Sequence, residues 1–191
     1  VKWKHGSDVC LNEKDDRHPG FEFAYDYTNE LVRQEKLAIL REVLEDYGVD
    51  GIELDFMFFP AYFRRSEVEA SIPLMNDFVA QVHALTREVG QKQGRQIPLC
   101  ARVHHRRDEN LKIGLDVEHW LKEKHVDLVV AQVSDTLLDT GIDVRWLADA
   151  ADASDSAAYV RPPLRVYDER SGFPPIDSYR ALGQTLLDQG V

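Results

Sequence analysis

The segment that decides the fold is a short alternating run, Ile52-Glu53-Leu54-Asp55-Phe56-Met57. Its even-numbered positions are apolar, whereas its odd-numbered positions carry two acids and a methionine. Strict alternation predicts a β-strand with one apolar face and one face that bears Glu53 and Asp55. A helix is predicted immediately before it, from the N-cap Asn29 to the stop Gly48, and the short connection indicates that the strand is parallel to its neighbours.

Helices and strands alternate along the rest of the chain. Further strands are predicted over residues 97–103, 126–131 and 157–160. Further helices are predicted from about Ser71 to Gly90, after the cap Asp116, over 143–151 and after the cap Asp177. Residues 1–28 are predicted to form an irregular N-terminal segment with a short strand near residues 21–25. This alternation predicts an α/β protein built on a parallel sheet.

Two parallel architectures are compatible with this pattern, the doubly wound open sheet and the barrel. A doubly wound nucleotide-binding sheet is expected to carry a glycine-rich turn after an early strand, and the sequence has none. In such a sheet Glu53 and Asp55 would also face helices, where two acids are costly. In a barrel they face inward, toward the rim where active sites are built. The sequence therefore favours a parallel (β/α) barrel of the TIM type.

The chain is shorter than a complete barrel of this type. It has 191 residues and supplies about four strand-helix units, whereas a whole barrel needs about 250 residues. We therefore expect residues 1–191 to form a single domain that is a fragment of a longer barrel, covering its middle and later strands. The residues predicted to be buried between strands and helices are Ile52, Leu54, Val79, Val82, Leu99, Val103, Leu128 and Val130.

Composition limits the classes of partner. The formal net charge is -11, with 34 acidic and 23 basic residues, which argues against nucleic acid as a partner. No apolar stretch approaches the roughly 18 residues of a membrane span. Two cysteines, Cys10 and Cys100, are too few for a disulfide framework, although one bridge between them stays open. The sequence indicates neither the cellular compartment nor the oligomeric state.

Two runs of sequence resemble a known group of proteins. The run Tyr47–Pro60 resembles the fourth-strand segment of uncharacterised glycosyl-hydrolase-like barrels, relatives of the family-10 glycosidases. The run Ile113–Leu121 looks like a segment that those proteins carry between their fifth and sixth strands. The resemblance spans the middle of the chain, from about Asn29 to Leu128. It implies a TIM barrel and a carbohydrate substrate, and it implies no established reaction.

Glu53 and Asp55 are the candidate catalytic residues. Glycoside hydrolysis needs one protonated carboxyl and one ionised carboxylate, and two neighbouring acids push their pKa values apart. Asp55 lies nearer the end of the strand, where it can reach substrate. Glu53 lies one layer deeper beside Arg102, which is expected to keep it ionised and suits a positioning role. The alternative is that Glu53 only forms a structural ion pair with Arg102.

A second comparison fails at one position. The run Asp50–Met57 overlays the chitinase-type pattern Asp-Gly-x-Asp-x-Asp-x-Glu, but Met57 stands where the proton-donating glutamate is required. Methionine cannot donate a proton, so that mechanism is excluded. The predicted strand 157–160 contains no acid, and Asp168 and Glu169 fall in a predicted loop. A catalytically silent carbohydrate-binding barrel is therefore the first alternative.

Other polar and aromatic side chains are candidates for substrate binding. They follow or end the predicted strands, where barrel sites collect side chains. The candidates are Arg102, His104, His105, Tyr62, Gln132 and Ser134. A second alternative is a metal-assisted hydrolase built on Asp55, Glu53 and His104. No metal-binding His-x-His or His-Glu-x-x-His spacing supports it, so the leading hypothesis includes no metal and no cofactor.

Overall fold

The described part of the chain forms a four-stranded parallel sheet flanked by helices. The structure, a computed structural model, describes residues 6–14, 20–132, 141–162 and 174–191. The strands are β1 (Ile52–Asp55), β2 (Leu99–His104), β3 (Leu128–Gln132) and β4 (Ala157–Arg161). The α-helices in these residues are α1 (Glu30–Asp46), α2 (Val68–Gln93), α3 (Arg107–Lys112), α4 (Val117–Lys122), α5 (Arg145–Ser154) and α6 (Ile176–Leu187). The predicted α/β class with a parallel sheet is confirmed.

The strands lie side by side in the order in which they occur along the chain. Each pairs in parallel with its sequence neighbour, giving the order β1-β2-β3-β4. The register places Asp55 opposite Arg102 and His104 opposite Gln132. Among the described residues β1 and β4 do not pair with each other, so the sheet is open.

The two faces of the sheet differ in how they are covered. One face packs under the helices, and its fully buried strand residues are Leu99, Ala101, Val103, Val129 and Ala131. The other face, which we call the uncovered face, is half-buried or exposed, and its residues include Glu53, Asp55, Cys100, Arg102, His104, Val130, Gln132 and Tyr159. The period-2 alternation of the strands therefore separates a core face from a polar face.

Two long helices pack against the first half of the sheet. Helix α2 buries the apolar stripe Met75, Phe78, Val79, Val82, Leu85 and Val89. Helix α1 begins as predicted, because the Asn29 side chain accepts a hydrogen bond from the Leu31 amide at 3.0 Å. It ends just before Gly48, whose φ of 61° is a conformation that glycine adopts without strain.

The N-terminal segment is tied to the loop that follows β1. The predicted strand near residues 21–25 is a 3-10 helix at Phe21–Phe23 instead, followed by one antiparallel bridge between Cys10 and Tyr25. Arg64 holds this segment, since its Nε donates to the Leu11 carbonyl at 2.9 Å and its guanidinium lies 3.0 Å from the buried Asp26 carboxylate. The loop after β1 is thus fixed from one side.

Four further predictions about local structure are wrong. Leu54, predicted to be buried, is only half-buried. Leu128 and Val130 lie half-buried on the uncovered face, and their neighbours Val129 and Ala131 fill the core instead. A strand that is apolar on both faces shows no alternation, so its register could not be predicted. The predicted cap Asp177 lies inside the first turn of α6, which starts at Ile176 after Pro175.

Leu54→Ala is expected to lower the free energy of unfolding by about 1–2 kcal/mol. A fully buried leucine would cost roughly 2–5 kcal/mol. Leu54 is only half-buried in a groove beside Ile39 and Leu40, so part of the apolar surface is already in water. Chemical denaturation measures the change, and Leu187→Ala, at a position that is 70% exposed, is the matched control. Equal stabilities of the two variants would contradict the packing of β1 described above.

Candidate functional site

The centre of the candidate site is an ion triad on the uncovered face. The Arg102 guanidinium donates to Glu53 Oε1 through Nη2 and lies 3.5 Å from Asp55 Oδ2 through Nη1. Asp55 Oδ1 also accepts the Met57 amide N–H at 2.8 Å. The pairing of Glu53 with Arg102 expected from the strand register is therefore present, and Asp55 makes the longer of the two contacts.

Cys100 lies opposite Glu53 in the strand register, on the same face as the triad. Its Sγ is 3.7 Å from Glu53 Oε2. Burial and the neighbouring Glu53 carboxylate raise the pKa of the Cys100 thiol to about 12. The thiol is therefore protonated at neutral pH and acts as a hydrogen-bond donor to Glu53, which rules it out as a thiolate nucleophile.

His104 ends β2 at the rim of the sheet, where its ring is held by the following loop. Its Nδ1 accepts the Arg106 amide N–H at 3.0 Å, which leaves the ring proton on Nε2. Burial and the adjacent His105 lower the pKa of His104 to about 4. His104 is thus a neutral imidazole with a fixed tautomer at physiological pH.

Asn110 is a residue of this site that the sequence did not indicate. It is 1% exposed, and its side chain binds both backbone groups of His104, accepting from the N–H and donating to the carbonyl at 2.8 Å each. It belongs to the short helix α3, which was not predicted because the charged run Arg107–Lys112 has no apolar periodicity. Asn110 therefore fixes the end of β2.

His105 and Gln132 tie the rim of β2 to β3. The His105 amide N–H donates to the Gln132 carbonyl at 3.2 Å, and the His105 carbonyl accepts from Trp146 Nε1 at 2.9 Å. The two histidine rings stack with centroids 4.4 Å apart. Gln132 is half-buried on the same face as His104. The candidates Ser134, Asp168 and Glu169 lie outside the described residues.

Tyr62 does not offer a ring face for sugar stacking. It is 8% exposed, its hydroxyl donates to the Phe56 carbonyl at 2.5 Å, and its ring makes edge contacts with Tyr27 and Phe56. This burial makes Tyr62 a support of the loop, but Tyr62 also belongs to the lining of the cleft described next, and its substrate-binding role stays a prediction. Phe58 in the same loop is 90% exposed and is the better aromatic candidate.

A cleft of about 460 Å³ lies beyond the C-terminal ends of β1 and β2. The loop after β1 forms one wall and helix α3 forms the other. Its lining includes Met57, Phe63, His104, Glu109, Lys112 and Ile113. Asp55 binds the backbone of Met57, which is part of this lining, but Glu53, Asp55 and Arg102 are not themselves lining residues.

The described residues form no ready-made metal-binding site of the kind that the metal-assisted alternative requires. In residues 6–14, 20–132, 141–162 and 174–191, no group of three or more His, Cys, Asp or Glu side chains is placed to hold a metal ion. Glu53 and Asp55 are bound to Arg102 instead, and His104 has its Nδ1 engaged by the Arg106 amide.

Comparisons with known proteins assign no function to the chain. No family model matches the chain. No curated protein matches it either. Within the described part of the chain, no helix is both long enough and apolar enough to cross a membrane.

Glu53→Gln is expected to lower the free energy of unfolding by about 1 kcal/mol, or about 2–4 °C in Tm. The substitution removes the charge that pairs with Arg102, whose Nε is already buried without a partner. The Glu53 and Arg102 side chains both keep some contact with solvent, which limits the loss of stability. A thermal melt measures the change, and the exposed Glu42→Gln on α1 is the control. No difference between the two variants would show that the triad adds nothing to stability.

Acidification is expected to destabilise the fold through His104. The pKa of His104 is about 4 in the folded state and 6.5 ordinarily, so between these pH values the unfolded chain binds a proton at His104 that the folded chain does not bind. The stabilisation is complete above pH 6.5 and is lost as the pH falls toward about 4. The groups facing the ring are His105, Arg106, Asp108 and Glu109. Chemical denaturation at several pH values measures the free energy of unfolding. Its dependence on pH should be weaker for His104→Asn than for the parent, and an identical dependence would contradict the assignment.

Proposed function

We propose that the chain forms part of a (β/α) barrel of the TIM type and acts on carbohydrate as a glycoside hydrolase. Two features of the fold support the barrel. The strands follow one another in sequence order, whereas a doubly wound sheet reverses its order at a switch point. One face of the sheet is covered by helices and the other bears charged side chains, as the inner face of a barrel does near its rim.

The observation that carries the proposal is the position of the two carboxylates. Asp55 and Glu53 project from one strand on the uncovered face, and Asp55 is the last residue of that strand. Asp55 is the proposed catalytic residue because it ends β1 and makes the longer of the two contacts with Arg102, at 3.5 Å. Glu53 and Arg102 are proposed to position it. His104, His105 and Gln132 form the adjoining rim and are proposed to bind substrate.

A carbohydrate-binding barrel without catalysis is the second candidate. The observation that favours it is that Arg102 binds both carboxylates, so neither is arranged as a proton donor. Within the described strands, the uncovered face also carries no acid other than Glu53 and Asp55. Hydrolysis by two carboxylates would then use this pair alone.

Hydrolysis of a glycan panel by the purified protein distinguishes the two candidates. Release of new reducing ends from at least one poly- or oligosaccharide is expected, with heat-denatured protein as the control. Binding of a glycan without any release of reducing ends would establish the binding module instead. If no glycan of the panel is bound or cleaved, the carbohydrate proposal falls.

A further inference from the structure

Part of the lining of the cleft beyond β1 and β2 is apolar, and we call this apolar part the floor. The floor consists of Met57, Phe63, Val68, Ile113 and Phe21. Its volume of about 460 Å³ lies within the range typical of small-molecule sites. The apolar face of a sugar ring fits such a floor, because its C–H groups leave water there without losing hydrogen bonds.

The charges around the cleft are balanced. Lys112 Nζ lies 2.8 Å from the Glu109 carboxylate and 3.0 Å from that of Asp108, so its charge is already paired. The Arg65 guanidinium lies over the Phe21 ring, 5.6 Å from its centroid. The two cations Lys112 and Arg65 and the Glu109 carboxylate thus line the cleft, and Asp108 lies beside Lys112. A ligand with a net charge gains little from such a site, whereas a neutral ligand loses nothing.

The polar end of the cleft is formed by His104. Its Nδ1 is occupied by the Arg106 amide and its backbone is clamped by the buried Asn110. The ring therefore offers one fixed donor, Nε2–H, and Glu109 adds a carboxylate acceptor on the same wall. A donor and an acceptor held above an apolar floor match a ring that carries hydroxyl groups.

We propose that this cleft is a subsite for one neutral sugar unit, held by His104 Nε2–H and the Glu109 carboxylate over the floor that contains Met57. The inference rests on the proposed function, since it names the substrate class of the same site. Asp55 precedes Met57 by two residues and accepts a hydrogen bond from its backbone N–H, so the subsite is linked to the end of β1 through Met57.

The methyl group of Met57 can report on ligand binding at this subsite. The chain has two methionines, and Met57 lies in the floor while Met75 is fully buried in the core. In protein labelled with 13C at the methionine methyls, titration with methyl glucoside, xyloside, galactoside and mannoside should move the Met57 signal and leave Met75 in place. Glucuronate and glucosamine serve as the charged comparisons. A Kd in the millimolar range is expected for a ligand of this size.

Two substitutions separate the donor from the loop geometry. In His104→Asn the amide oxygen replaces Nδ1 and keeps the Arg106 bond, but the donor is lost, so affinity should fall about tenfold. In His104→Gln the amide nitrogen replaces Nε2, so affinity should stay within a few-fold of the parent. His119→Gln on α4 is the control and should change nothing.

The outcomes distinguish this inference from the hydrolase proposal. If a neutral glycoside moves Met57 but no glycan is hydrolysed, the subsite stands and the binding module replaces the hydrolase. If glycans are hydrolysed but no neutral glycoside moves Met57, the subsite is wrong while the hydrolase stands. Tighter binding of glucuronate, or equal affinity of His104→Asn and the parent, would also overturn it.

Discussion

Asp55→Asn is expected to reduce hydrolysis of any glycan that the parent cleaves by about 10²-fold or more, while the fold stays intact. Asparagine has nearly the same shape, and its amide oxygen can still accept the Met57 N–H. It cannot exchange a proton or attack a sugar carbon, so the chemical step alone is lost. The measurement is kcat/KM on the best glycan of the panel, with a thermal melt alongside.

The matched control for this variant is Asp50→Asn. Asp50 lies at the opposite end of β1, where its fully exposed side chain makes an ion contact of 3.4 Å with Arg95. The control should keep both the activity and the Tm of the parent. Full turnover in Asp55→Asn would remove Asp55 from catalysis. A fall in Tm as large as the fall in activity would assign it a structural role.

Asn110→Ala is expected to lower the free energy of unfolding by about 2–4 kcal/mol. The substitution leaves the His104 amide N–H and carbonyl without their buried side-chain partner. It also removes a third hydrogen bond, which the Asn110 side chain donates to the Arg106 carbonyl at 3.2 Å. Buried backbone groups without partners each cost about 1–3 kcal/mol. Chemical denaturation measures the loss, and glycoside binding should weaken with it because His104 loses its support.

Asn110→Asp separates the two hydrogen bonds that form this clamp, the one that the side chain accepts from the His104 N–H and the one that it donates to the His104 carbonyl. A carboxylate oxygen still accepts the His104 N–H, but it cannot donate to the His104 carbonyl. Its stability should therefore fall between those of the parent and of Asn110→Ala at a pH where the carboxyl is ionised. If Asn110→Ala is as stable as the parent, the clamp is not what fixes the end of β2.

The fold could be predicted where the sequence alternates clearly between apolar and polar residues. Strand β1 has one acidic and one apolar face, and helix α1 has a capping asparagine that the structure confirms. Strand β3 is apolar from Leu128 to Ala131, so its register could not be assigned and Leu128 was placed on the wrong face. Helix α3 is short and charged, and no local pattern distinguishes it from a loop.

The site could be predicted only in part, because period-2 registers show which side chains share a face and not what each one contacts. The register was sufficient to bring Glu53 to Arg102. It could not show that Tyr62 binds a carbonyl and lies buried, or that Asn110 supports His104. Both depend on how loops after different strands pack together, and such contacts leave no spacing in the sequence.

The strand order also has a consequence for how the chain assembles. Each described strand after β1 pairs with the strand that precedes it, so each new pairing closes a loop within one strand-helix unit. The entropy cost of closing a loop grows only with the logarithm of its length, and each of these connections spans one strand-helix unit. The sheet can therefore grow one unit at a time from β1 to β4. During synthesis from the N-terminus, no late strand has to insert between two that are already paired.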